Sequence, residues 1–171
     1  GIPDYSFSNS LYNLNKTLEF LNFIIKETNC KKIVSMGSCA EYFNPIGRVN
    51  EEMPVLAEDF FTWAKITLNQ GIELIAKENG ITQVWLRLFY VYGEYQRKDS
   101  LIPYLITSAK DNIKPKINTP ARKNDFVYVG DVISAIEYAV NDEIPSGIYN
   151  VGSGISISPL KIQSILCKKL N

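Results

Sequence analysis

The 171-residue sequence predicts an α/β layered fold built on a parallel sheet, and two observations carry that prediction. Long segments with apolar residues at steps of three and four alternate with short apolar runs that end in glycine or polar residues. The two kinds of segment follow one another along the chain, the order that places helices against a mostly parallel sheet. Residues 8–28 (SNSLYNLNKTLEFLNFIIKET) carry Leu11, Leu14, Leu18, Leu21 and Ile25 on one helical face. KKIVSMG, residues 31–37, reads as a buried strand. Residues 38–57 mix Asn, Pro, Gly and acidic residues without a period and read as a loop. A second long helix is expected over 58–79, with Gly80 as its C-cap. TQVWLRL, 82–88, is the second strand, 90–98 a loop and 100–111 a short helix. Residues 112–124 are polar and contain proline. DFVYV, 125–129, is a short strand, and Asp131 is placed as the N-cap of a helix through Val140. GIYNVG, 147–152, is a further strand, and Ser158-Pro159 opens the last helix. Both ends read as cut, since the first helix has no strand before it and the last runs to the end of the sequence.

Composition removes several classes of function. Hydrophobic residues at 46% and charged residues at 21% suit one soluble globular domain. Eighteen Lys+Arg balance eighteen Asp+Glu, so the basic surplus of a general nucleic-acid binder is missing. No apolar run reaches the roughly 18 residues of a membrane span, and no signal-peptide pattern opens the sequence. The absence of histidine excludes Ser-His-Asp and Cys-His catalysis and His-based metal sites within the chain. Cys30, Cys39 and Cys167 are scattered and odd in number, which reads as reduced thiols and a cytoplasmic location.

The chemistry concentrates on Ser38 and on Phe61-Thr62-Trp63-Ala64-Lys65. Positions 61 and 65 lie one helical turn apart and share a face. Ser38 falls just beyond the carboxyl end of the 31–37 strand, where open α/β sheets bind ligands. Read singly, each residue has a plainer explanation. Ser38 would end a strand with a local hydrogen bond, and Lys65 would be a solvated helix lysine. Tyr42, Tyr92 and Trp63 would be packing residues, and Cys39 a small buried residue without a positive neighbour to make a thiolate.

Taken together, these segments resemble the extended short-chain dehydrogenase/reductase family, the NAD(P)-dependent modifiers of nucleotide sugars. Asn13 in NLNKT is similar to the family's Asn in the helix before the catalytic strand. KKIVSMGSCAEYF resembles its strand and Ser-containing loop, and FTWAK its Tyr-x-x-x-Lys. LRLFYVYGEY resembles Arg-x-Phe-Asn-x-Tyr-Gly-Pro. RKNDFVYVGDVISAI and GIYNVGSG resemble Arg-Asp-Phe-x-x-Val-x-Asp-Val and Tyr-Asn-Val-Gly. The resemblance implies a Rossmann-like parallel sheet with flanking helices, the second half of a cofactor domain, plus part of a small substrate-binding region. It divides the chain at 1–98 and 99–171, the latter interleaved with the remaining Rossmann elements. It implies Ser38, position 61 and Lys65 as catalytic. Lys65, Phe89 and Asn13 would face NAD or NADP, and Ser38, Tyr90, Arg122 and Asn124 a nucleotide-sugar substrate. It further implies a homodimer through helices 8–28 and 58–79.

The departures from the family pattern shape the functional expectation. Position 61 is Phe, which has no proton to exchange, and neither Phe60 nor Tyr42 replaces it. No GxGxxG follows a strand, and Gly152-Ser153-Gly154 stands where the family has a different turn. Tyr90 replaces the family's Asn, Asn124 its diphosphate-pairing Arg, and Glu94 its Pro. Arg122, two residues earlier, is the candidate compensation. Cys39 and Ala40, where dehydratases of the family carry an acid, argue against water elimination, and Glu41 is found at its position in reductase-like members. The expectation is an NAD(P)-dependent nucleotide-sugar epimerase or 4-ketoreductase, impaired by Phe61 and the missing phosphate loop. The alternative is a non-catalytic nucleotide-sugar-binding or structural, dimerising protein of the same fold.

Overall fold

A computed structural model describes residues 4–43, 45, 47–141 and 143–170. The chain divides into two compact units, residues 1–88 with 135–151, and residues 89–134 with 152–171.

The first unit is a three-stranded parallel sheet. It contains β1 (Lys32–Ser38), β2 (Thr82–Leu88) and β5 (Gly147–Val151), in the order β1-β2-β5. Register runs Lys32 to Thr82 through Ser38 to Leu88, and Val84 to Gly147 through Leu88 to Val151. Side chains alternate between faces, as strand geometry requires. Ile33, Trp85 and Ile148 pack with Leu21, Ile25, Leu68, Ile72 and Ala76 from α1 (Phe7–Glu27) and α2 (Phe60–Asn79). Val34, Met36, Val84, Leu86, Leu88, Tyr149 and Val151 pack with Ile136 and Ala139 of α4 (Val129–Asn141). Helices thus cover both faces, and the strands read as near-continuous apolar runs for that reason.

The helix ends follow from local chemistry. The Ser6 hydroxyl accepts the Asn9 amide at 3.4 Å and caps α1. Asp59 and Thr62 form a reciprocal capping box at α2, whose far end closes on Gly80 in the left-handed region at φ 63°. Gly37 is required by close approach. A Cβ there would overlap the Trp85 indole and stand 2.6 Å from Glu41 Oε1. Gly37→Ala is expected to destabilise the chain by about 3 kcal/mol, the upper part of the overpacking range, measured by urea unfolding.

The second unit holds β3 (Tyr90–Tyr92), β4 (Asn124–Tyr128) and β6 (Ser156–Ile157), in the order β3-β4-β6. The β3–β4 pair is parallel and the β4–β6 pair antiparallel. Helix α3 (Leu101–Lys110) packs on α5 (Pro159–Leu170).

Several expectations are corrected in detail. Ser38 is the last residue of β1, paired with Leu88, rather than the first beyond it. The 38–57 segment opens with a 3₁₀ turn, Cys39–Glu41, and Tyr42 bridges to Val55. Asn44 and Ile46 of that expected loop lie outside the described residues. The 90–98 loop begins with a strand because Tyr90–Tyr92 finds a partner in β4. Asp131 is not the N-cap. The backbone turns directly from β4 into α4 at Val129, so Asp131 lies inside the first turn, where its charge complements the helix dipole. Cys39 is half-buried rather than buried.

Candidate active site

In the first unit, β1 delivers Ser38 to the carboxyl edge of the sheet and α2 brings Phe61 and Lys65 alongside. Lys65 Nζ donates to the Met36 carbonyl at 2.6 Å, two residues before Ser38. The same ammonium lies 5.9 Å from the Phe61 ring centroid, within cation–π reach. The contact ties α2 to β1 across the sequence separation from 36 to 65 and places the Lys65 ammonium two residues along the strand from Ser38. Burial lowers the Lys65 pKa from 10.5, and the nearby negative charge of Glu41 works in the opposite direction.

That direction gives a pH prediction. Because the folded pKa is the lower one, the unfolded chain binds more protons between the two values, so this penalty on folding is full below the folded pKa and gone above 10.5. The melting temperature of the Lys65 protein is therefore expected to gain on that of Lys65→Met as pH rises toward 10.5, whatever the lost Met36 contact costs at pH 7. Thermal melts of both proteins across that range check it, and a pH-independent difference would contradict it.

Ser38 is held at its backbone. Its N–H donates to Glu41 Oε1 at 2.7 Å, and its hydroxyl oxygen accepts the Ala40 amide at 3.2 Å. The hydroxyl proton stays available for a further acceptor. Glu41 itself is fully buried. Its carboxylate takes the Arg87 Nε at 2.8 Å and the Trp85 Nε1 at 3.2 Å to each oxygen. Arg87 is 3% exposed, lies 4.6 Å from the Tyr42 ring and donates to the Glu51 carbonyl at 3.2 Å. Burial alone would lower the Arg87 pKa; hydrogen bonds with Glu41 and Tyr42 outweigh it and hold the guanidinium above its ordinary range. The Tyr42 hydroxyl donates to Asn150 Oδ1 at 2.7 Å, which fits a packing role.

Phe61 is half-buried, and the exposed Tyr5 ring packs on it at 4.9 Å between centroids. Asn13 is exposed on α1, where its carbonyl accepts the Thr17 hydroxyl at 2.8 Å. Its place beside a cofactor remains an expectation from the resemblance.

The second unit holds the other named residues. Phe89 is half-buried, and a Cβ on Gly152 would stand 3.2 Å from its ring. Tyr90 is 41% exposed with its ring 5.7 Å from Phe126. Arg122 is exposed in the turn before β4, and Asn124 opens β4 opposite Ile157. The Gly152-Ser153-Gly154 turn is occupied from within. Asp125 accepts the Ser153 amide and hydroxyl at 2.8 and 2.6 Å on one oxygen and the Gly154 amide at 2.8 Å on the other. These amides are spent on a carboxylate of the chain, which explains GSG without a dinucleotide.

Sequence reasoning missed the Glu41–Arg87–Trp85 cluster and the Tyr5 contact. A signal existed for the first. Arg87 sits inside the apolar run TQVWLRL, and an arginine in a buried strand requires an acceptor of opposite charge. No comparable signal existed for Tyr5, which meets Phe61 only through tertiary folding.

A parallel sheet covered on both faces, with Ser38 at a strand's carboxyl end and Lys65 on the next helix, defines a Rossmann-like domain. The chain belongs to the NAD dependent epimerase/dehydratase family, whose sequence profile matches residues 6–152. It is 28% identical over 150 residues to the dTDP-4-dehydro-6-deoxyglucose reductase of Escherichia coli, a match covering 85% of this chain and 48% of the reductase. The chain therefore spans about half the length of that relative. Among solved structures, the UDP-N-acetylglucosamine 4-epimerase of Bacillus cereus superposes with a TM-score of 0.87 at 19% identity, over 98% of this chain and 58% of that one. A Tyr→Phe mutant of the UDP-glucuronic acid 4-epimerase of the same organism, in complex with UDP-4-deoxy-4-fluoro-glucuronic acid and NAD, superposes at 0.80. Its identity is 25%, over 89% of this chain and 49% of the other.

Proposed function

We propose that this chain carries the catalytic half-site of an NAD(P)-dependent nucleotide-sugar epimerase or 4-ketoreductase, with turnover limited by Phe61. The observation that supports the reading is the Lys65–Met36 contact at 2.6 Å, which holds the helix ammonium against β1 two residues before Ser38. The donor set fits the ribose end of a nicotinamide cofactor. An ammonium has three donors, and the Met36 carbonyl takes one, leaving others for ribose hydroxyls. When bound, such a cofactor supplies hydride acceptance or donation. Ser38 donates its hydroxyl proton to the reacting oxygen of the sugar. Phe61 fills the shape of the family's Tyr and leaves the proton transfer without its acid or base. By the family resemblance, Phe89 and Asn13 are assigned to the cofactor, and Tyr90, Arg122 and Asn124 to the substrate. In this reading residues 1–98 form the cofactor half and 99–171 the substrate region with the remaining Rossmann elements.

The relatives support this choice. One is named a sugar reductase, and the neighbour solved with NAD and a UDP-sugar analogue is itself a Tyr→Phe mutant. A loss of tyrosine is thus compatible with ligand binding in that protein. The same fact favours the second reading, a non-catalytic nucleotide-sugar-binding protein of this fold. A homodimer through the 8–28 and 58–79 helices also belongs to the proposal, supported by the exposed Phe20, Phe23 and Leu74. Light scattering tests it, and a strict monomer would remove it. A cytoplasmic location is proposed from the cysteine pattern. Among the described residues no helix is long and apolar enough to cross a membrane.

Calorimetric titration with NAD⁺ and NADP⁺ tests the central claim. Weak binding, lost on Lys65→Met, is expected, because the phosphate loop is missing. No heat at millimolar cofactor would withdraw the cofactor reading for this chain.

A further inference from the structure

The mechanism above uses Ser38, position 61 and Lys65, and leaves unexplained why a glutamate is wholly buried three residues after Ser38. A carboxylate removed from water is costly unless it is paired and hydrogen-bonded. Glu41 is satisfied by three donors, in four contacts, from two places. Arg87 Nε at 2.8 Å and Trp85 Nε1 at 3.2 Å come from β2, whereas the Ser38 amide at 2.7 Å comes from the end of β1. The fourth contact is the second oxygen's share of the Trp85 N–H. The reciprocal arrangement, with the Ser38 hydroxyl accepting the Ala40 amide, makes the Cys39–Glu41 turn a capping box. Gly37 is small because this carboxylate and the indole occupy the space a Cβ would take. Arg87 is fixed in turn by the Tyr42 ring and the Glu51 carbonyl. The charge also reaches Lys65, where it opposes the effect of burial.

We propose that Glu41 is the positioning residue of this site. Held by Arg87 and Trp85 from the neighbouring strand, its carboxylate clamps the Ser38 amide and so fixes the Ser38 hydroxyl at the sheet edge. The inference rests on the reading that Ser38 bonds the reacting oxygen. A residue that sets the geometry of a reacting group without touching substrate acts on kcat more than on KM, and misplacement of about 1 Å can cost on the order of 100-fold.

The test compares two paired variants of the full chain, each carrying Phe61→Tyr so that turnover is measurable. Glu41→Gln with Arg87→Met keeps an oxygen for the Ser38 and Trp85 donors and removes both charges. Glu41→Met with Arg87→Met removes that oxygen as well. The expected result is a kcat drop of about 10- to 100-fold for the Met pair with KM within about threefold. The Gln pair should stay within about threefold of the parent in both, a rescue by the acceptor alone. Equal kcat for the two pairs would overturn the proposal, because the amide clamp would then be irrelevant to rate. If the Met pair does not fold, Trp85→Phe added to both pairs removes the orphaned indole donor and the comparison is repeated.

Amide exchange at Ser38, followed by NMR on the same variants, separates this inference from the functional reading. Slow exchange in the Gln pair and fast exchange in the Met pair would support the clamp even if no nucleotide sugar turns over, which would sink the enzyme reading instead. Slow exchange in both would overturn the clamp whatever the activity.

Discussion

Arg87→Met is expected to destabilise the chain by about 3–5 kcal/mol, the largest single effect foreseen for a point substitution here. Arg87 is 3% exposed and Glu41 fully buried, so water cannot replace the lost partner. The change leaves the Glu41 charge with the Trp85 and Ser38 donors alone, and removes the guanidinium from the Tyr42 ring and the Glu51 carbonyl. Glu41→Gln added to Arg87→Met should recover most of the loss, because a buried ion pair replaced on both sides by neutral groups of similar size is close to neutral. Urea unfolding of the single and double variants measures both numbers. A single variant within about 1 kcal/mol of the parent would show that the pair is not the buried element described here.

The second large effect concerns rate. Phe61→Tyr is expected to raise turnover of a nucleotide sugar by about 10²–10⁴-fold, the ordinary contribution of a positioned acid or base. The added hydroxyl belongs to a ring 5.9 Å from the Lys65 ammonium, whose charge favours the phenolate. Tyr5 already carries a phenol against the Phe61 ring at 4.9 Å, so Tyr5→Phe in the parent is the natural control and should leave any residual rate unchanged. Steady-state assays over several nucleotide sugars, with NADH absorbance for the reductase arm and product chromatography for the epimerase arm, read the outcome. Unchanged inactivity after Phe61→Tyr, with cofactor binding intact, would move the protein to the non-catalytic binding reading.

Much of the fold was legible residue by residue. The leucines of residues 8–28 and the run KKIVSMG declare their elements because one face or both faces of each must be buried. Gly80 ends α2 where a left-handed residue is needed, as its position indicates. The failures share a cause. Tyr90–Tyr92 and Ser156–Ile157 are too short to show a period, and become strands only because β4 lies beside them. Asp131 has the right residue type for a cap, yet the chain enters α4 two residues earlier.

The sequence by itself determined the layered α/β class and the order of the long elements, since periodicity is a local property, while Ser38, Phe61 and Lys65 stood out through the family resemblance together with their one-turn spacing. Tertiary structure alone decided what surrounds them. It set Lys65 on the Met36 carbonyl, filled the GSG turn with Asp125, laid Tyr5 on Phe61 and closed Glu41 against Arg87. Each of these joins residues far apart in the chain, and the energy of a buried charge or amide depends on which partner arrives rather than on the residue's own neighbours.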